Sequence, residues 1–123
     1  MRIDILSLFP EMFYGPFGHS IIKRAADNKL LDIAITNFRD FTYDRHNQVD
    51  DSPFGGGSGM VLKPEPIFRA VRHIKENTAY SRRKVILLCP GGNTFTQEKA
   101  KELAAEEQLI FICGHYEGFD ARI

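Results

Sequence analysis

Two continuous apolar runs limit most strongly what this chain can fold into. They are Lys84-Val85-Ile86-Leu87-Leu88-Cys89, stopped by Pro90-Gly91-Gly92, and Leu109-Ile110-Phe111-Ile112-Cys113, broken by Gly114. Successive strand residues point to opposite faces, so a run that is apolar throughout is covered on both. This is the signature of a central parallel strand. At about five apolar residues each, neither run approaches the ~20 that a membrane-spanning helix needs.

The segments around these runs alternate in period. Arg2 to Phe9 is rich in β-formers, ends at Pro10 and reads as a strand. Between His19 and Lys29, Ile21, Ile22, Ala25 and Ala26 recur at helical spacing, with Ser20 placed as an N-cap. Leu31 to Phe38 is a second strand, and Arg39 to Ser58, which lacks a helical stripe, reads as a long loop. Pro64 and Pro66 suit a first helical turn, and Ile67, Phe68, Val71 and Ile74 then share a face as far as Asn77. Thr96 can cap a helix with Gln97 and Glu98 in its first turn and Ala100, Leu103 and Ala104 on its apolar face. The order β-α-β-loop-α-β-α-β predicts an α/β fold, a mainly parallel sheet with helices on both faces.

With 123 residues, 43% of them apolar and 26% charged, the chain has room for one domain and a core that needs neither disulfides nor a structural metal. Cys89 and Cys113 each end an apolar run and read as core thiols of a reducing compartment. The opening Met1-Arg2-Ile3-Asp4 shows no basic n-region, long apolar segment or cleavage site, which makes the cytoplasm the expected location. The 16 cations balance 16 acids, yet Lys63 to Lys84 holds seven cations against two acids, a local +5. Phosphate binding depends on local charge, so an RNA partner fits; so does a solvated helix face. After Gly118-Phe119, Asp120 is a good N-cap and Ala121-Arg122-Ile123 a first helical turn. A helix of one turn does not stand alone, so residues 1–123 are expected to form a domain incomplete at its C-terminal end.

Ligands of open parallel sheets bind beyond the carboxyl ends of the strands. Pro90-Gly91-Gly92-Asn93 and Gly114-His115-Tyr116-Glu117-Gly118 stand at two such ends and lie side by side if their strands are neighbours. Glycines admit close approach of a ligand, Tyr116 can stack on a purine, and Glu117 can accept from an ammonium or exocyclic amine. Together they suit a nucleoside-like ligand, although each alone also fits a tight strand-to-helix turn.

A third candidate is Asp50-Asp51-Ser52-Pro53-Phe54-Gly55-Gly56-Gly57-Ser58-Gly59-Met60. It lacks the Gly-Lys-Ser/Thr ending of a P-loop and follows a turn signal instead of a buried strand, which excludes the dinucleotide fingerprint. It reads as a lid or a surface approached closely by a large substrate, with a flexible linker as the alternative. Asp50 and Asp51 are adjacent and point apart, so one of them as a substrate contact fits better than a paired carboxylate site. His19, His46, His73 and His115 share no metal-ligand spacing, and no metal site is expected.

Taken together, the segment from Asp50 to Pro64, the turn Leu88-Cys89-Pro90, the segment Cys113 to Gly118 and the opening Ile5 to Phe13 closely resemble the bacterial tRNA (guanine-N1)-methyltransferases. These are knotted enzymes of the SPOUT class. The resemblance implies transfer of a methyl group from S-adenosylmethionine to N1 of the guanosine 3′ of the tRNA anticodon, by a homodimer. It implies a cofactor pocket formed in part by Leu87, Leu88, Pro90, Gly92, Gly114, Tyr116, Glu117 and Gly118. It implies a tRNA-facing side at Asp51, Gly55, Gly56, Gly57 and Gly59. Gly91 stands where the family usually has Gln, and Phe54 where it usually has Tyr. The family's catalytic aspartate, its knot-forming segment and its C-terminal tRNA-binding domain correspond to positions beyond Ile123, so no catalytic residue is assigned and this chain alone is expected to be inactive. Two other classes compete: a flavodoxin-like nucleotide-binding module and a non-enzymatic RNA-binding domain.

Overall fold

A computed structural model describes residues 1–17, 20–41, 50–51, 61–62, 64–88 and 92–113. Strand β1 (Arg2–Ser7) is followed by a 3-10 turn (Pro10–Phe13), a short helix α1 (Tyr14–Phe17) and α2 (Ser20–Asp27). Next come β2 (Asp32–Asn37), a second 3-10 turn (Phe38–Phe41), and the two-residue strands β3 (Asp50–Asp51) and β4 (Val61–Leu62). Helix α3 (Pro64–Asn77), β5 (Arg83–Leu88), α4 (Gln97–Ala104) and β6 (Gln108–Cys113) complete the order. The main sheet runs β2-β1-β6-β5 with every pair parallel. The α/β architecture expected from the alternating periods is therefore present.

Strand order explains where the helices lie. The crossovers β1 to β2 and β5 to β6 run in one direction along the sheet, so crossovers of the usual right hand put α2 and α4 on one face. The connection from β2 to β5 runs back and puts α3 on the other. Pleating then divides the strand residues. Leu6, Ile110 and Ile112 point to the α3 face and pack with Ile67, Ala70, Ile74, Phe38 and Leu8 in the main core. Ile5 and Phe111 point the other way, where Ile22 of α2 shares an apolar cavity with them and Leu103 of α4 lies near Phe111.

Local chemistry sets the element ends. Pro64 opens α3, where a missing N–H costs nothing, and both Pro64 and Pro66 are buried. Beyond the last turn of α3, Arg83 donates to the carbonyls of Tyr80 at 2.8 Å, Thr78 at 2.9 Å and Lys75 at 3.4 Å, tying the helix exit to the start of β5. The Thr96 hydroxyl accepts from the Lys99 amide at 3.1 Å, the N-cap expected for α4.

Several expectations are corrected. The run Lys84 to Cys89 is not a central strand: β5 is the edge of the described sheet, with Val85 42% and Leu88 50% exposed, and the central strands are β1 and β6. A continuously apolar run reports that both faces want covering, not how many neighbours the strand pairs with. The segment Arg39 to Ser58 is not all loop, since it begins within a 3-10 turn and reaches β3, which pairs antiparallel with β4 through Asp50↔Leu62 and Asp51↔Val61. Two-residue strands carry too little periodicity to be read from sequence. Pro10 ends β1 by opening helical turns that run to Phe17. On the amphipathic helices, Phe68 and Ala104 are exposed, at the edges of their stripes. Asp120 to Ile123 and Cys89 lie outside the described residues.

Candidate functional site

The two strand ends singled out by sequence are neighbours. β5 and β6 pair in parallel over six positions, ending with Leu87↔Ile112 and Leu88↔Cys113. The two strands therefore end side by side, at Leu88 and Cys113. Beside β5 lies a cleft of about 560 Å³ lined by Ile86, Leu87, Leu88, Phe111, Gly92, Asn93, Thr94, Phe95 and the α4 residues Lys99, Glu102 and Leu103, among others. Leu87, Leu88 and Gly92 were chosen from sequence and meet in it. Pro90, Gly114, Tyr116, Glu117 and Gly118 lie outside the described residues.

The cleft has apolar walls and a polar rim. Leu88 and Phe95 are 50% and 69% exposed, which is unfavourable for large apolar side chains unless something covers them. On α4, Lys99 pairs with Glu102 at 3.4 Å, leaving both signs of charge at the mouth. Cys113, half-buried beyond Phe111, has its thiol pushed up by burial, which keeps it protonated and unsuited to nucleophilic work. Asn93 belongs to the loop singled out by sequence, whereas Thr94, Phe95, Lys99 and Glu102 were missed. An aromatic residue three positions after a Pro-Gly-Gly turn was the available signal, but α4 must be docked before its outer residues are seen to reach the cleft.

On the second candidate surface, the backbone of Asp51 pairs with Val61, so the chain on either side of residues 52–60 is held together at its base. Gly55, Gly56, Gly57 and Gly59 lie outside the described residues. The basic stretch is partly internal. Arg69 donates to the Phe41 carbonyl at 3.1 Å, Arg83 closes the end of α3, and Arg82 pairs with Glu107 at 3.4 Å. Three of the seven cations are thus held by intramolecular bonds, those of Arg69 and Arg83 to neutral carbonyls, which fix the side chains without cancelling their charge.

Residues 1–123 match the model of the tRNA (Guanine-1)-methyltransferase TrmD family from end to end. The chain belongs to this family. It is 58% identical over 123 residues to the tRNA (guanine-N(1)-)-methyltransferase of Desulforamulus reducens, covering all of this chain and 48% of that protein. It is 57% identical to that of Bacillus cereus, covering 50% of it. The crystal structure of tRNA (m1G37) methyltransferase from Aquifex aeolicus superposes with a TM-score of 0.88 at 36% identity, over 99% of this chain and 54% of that one. The chain spans about half the length of the curated relatives it matches. Family membership and the shared fold agree with the α/β, SPOUT-like architecture expected from the sequence.

Proposed function

We propose that this chain forms the cofactor side of an enzyme that transfers a methyl group from S-adenosylmethionine to N1 of the guanosine 3′ of the anticodon in tRNA, and that it works as a homodimer. The observation that supports this reading is the parallel pairing of Leu88 with Cys113, by which the strands that precede the two glycine-rich segments in sequence end side by side. Membership of the family supplies the reaction class.

The described residues fit such a cofactor. A cleft of about 560 Å³ falls within the ~300–1,000 Å³ usual for small-molecule sites. Its apolar walls suit a nucleoside, and the Lys99–Glu102 pair at its rim suits the charged amino-acid end. When bound, the cofactor supplies an activated methyl group. Leu87, Leu88 and Phe111 exclude water from one side of the cleft, and Gly92 leaves the backbone approachable. Transfer to a ring nitrogen depends mainly on alignment of the two reactants, so the contribution of these residues is positioning. Asp51 and Gly55, Gly56, Gly57 and Gly59 belong on the tRNA side. In support, the β3–β4 pair closes the base of that segment, which suits a loop that folds over a substrate better than a linker.

Calorimetry on the purified chain tests the cofactor reading: S-adenosylhomocysteine is expected to bind more tightly than AMP or FMN, and the opposite order overturns it. Joining residues 1–123 to the remaining half of the Desulforamulus reducens relative tests the reaction. Labelled methyl is expected in tRNA carrying guanosine 3′ of the anticodon and not in tRNA carrying adenosine there, whereas equal labelling of both refutes the proposed target.

A further inference from the structure

The hydrophobic pattern of β6 cannot set its own register. Leu109, Ile110, Phe111 and Ile112 are apolar on both faces, and Ile5 and Leu6 of β1 oppose them, so sliding β6 by one residue exchanges one apolar face for another. Three polar side chains are buried among the described residues, namely Asp4 (1% exposed), Ser7 (6%) and Gln108 (0%). Two of them meet. Gln108 Nε2 donates to Asp4 Oδ2 at 2.8 Å and to Thr78 Oγ1 at 3.2 Å, and the Thr78 hydroxyl donates to the Ile74 carbonyl of α3 at 2.6 Å. Arg2 completes the cluster with Nε and Nη2 on the two Asp4 oxygens, each at 3.1 Å, and Nη1 on Asp32 at 3.0 Å. No buried side-chain nitrogen or oxygen among the described residues lacks a partner.

The geometry is specific to one alignment. Gln108 is the register partner of Arg2, and it reaches Asp4 two positions along on the same face. A slip of one residue turns Gln108 to the opposite face of the sheet, and a slip of two moves it about 6.6 Å along β1, in one direction beyond the reach of Asp4 and in the other beside Asp4 but away from Thr78. Either leaves the buried Gln108 amide short of a partner while Asp4 keeps Arg2, which lies on its own strand, and an unpaired buried amide is costly.

We propose that the Asp4–Gln108–Thr78 cluster is a register pin, the device that holds β6 in one alignment against β1 and α3. It thereby fixes the height of Cys113, at the end of β6, relative to β1 and to Thr78 in the connection that leads into β5. Buried polar pairs contribute little net stability, but they can select one arrangement among apolar alternatives. The pin is a property of the fold and stands whether or not the cofactor reading does.

Nuclear magnetic resonance of the full chain tests it. The doubly apolar variant Asp4→Leu/Gln108→Leu is expected to melt cooperatively, near the temperature of the parent, while its Leu109 to Cys113 amides split into more than one set and lose the unique cross-strand contact between Ile5 and Phe111. One set of signals with the parental contact overturns the pin. Should the double variant not fold, Gln108→Met, which keeps the volume and the Asp4–Arg2 pair, is read in the same way. Ser7→Ala removes a buried hydroxyl outside the cluster and is expected to keep a single set; splitting there as well also overturns the proposal.

Discussion

Leu88 and Cys113 are register partners at the last paired position of β5 and β6. Leu88 is half-exposed and lines the cleft, so its side chain contributes less to the core than a buried leucine does. Leu88→Ala is expected to change unfolding free energy by about 1 kcal/mol or less, below the ~2–5 kcal/mol of a fully buried leucine. It is also expected to weaken S-adenosylhomocysteine roughly five- to tenfold, from the apolar contact removed. Urea denaturation and calorimetry on the same preparation separate the two effects.

Ile110 lies at the centre of the main core, fully buried between β1 and β5 and packed toward α3. Truncation there leaves a cavity that the surrounding strands cannot close. Ile110→Ala is expected to cost about 2–5 kcal/mol and Ile110→Val about 0.5–1.5 kcal/mol in urea titrations. Ile21→Ala, at a position 76% exposed on α2, is expected to stay within about 0.5 kcal/mol.

Thr96 is the N-cap of α4, with its hydroxyl on the Lys99 amide at 3.1 Å. Thr96→Ala leaves that amide without its side-chain acceptor and is expected to cost about 1 kcal/mol. Thr96→Ser, which keeps the oxygen, is expected to recover most of the loss by thermal denaturation followed by circular dichroism.

Glu107 joins the start of β6 to the turn before β5. It accepts from the Ser81 hydroxyl at 3.0 Å and from the Arg82 amide at 3.2 Å, and these bonds, the hydroxyl first, hold its carboxyl below the ordinary range. A carboxylate lowered in the folded state contributes stability at neutral pH, and the contribution is lost as the pH falls through its folded value. Glu107→Gln is therefore expected to flatten the drop in melting temperature between about pH 5 and about pH 3, where glutamates titrate. An unchanged acid limb in the variant counts against this role.

Much of the fold was legible because one kind of signal dominates each element. The helical spacing of Ile67 and Ile74, with Pro64 at the start, marked α3 to the residue, and Thr96 with Gln97 marked the start of α4. The candidate site was legible in part: Gly92 follows from the rule that parallel sheets bind at their carboxyl ends, Leu87 and Leu88 from the family resemblance, and these residues line one cleft. Phe95, Lys99 and Glu102 were not legible, because their place in the cleft depends on how α4 packs against β5. Arg69 and Arg83 were read only as charge, although backbone carbonyls distant in sequence or beyond a helix end are their partners.

By itself, then, the sequence determined the element types, the parallel sheet and the family, because periodicity, caps and motif residues are local and survive without coordinates. Tertiary structure alone decided that β5 lies at the edge while β1 and β6 lie at the centre, and that Gln108 bonds to Asp4. Strand order and register are set by contacts between residues up to 104 positions apart, and an apolar run carries the same pattern in either place.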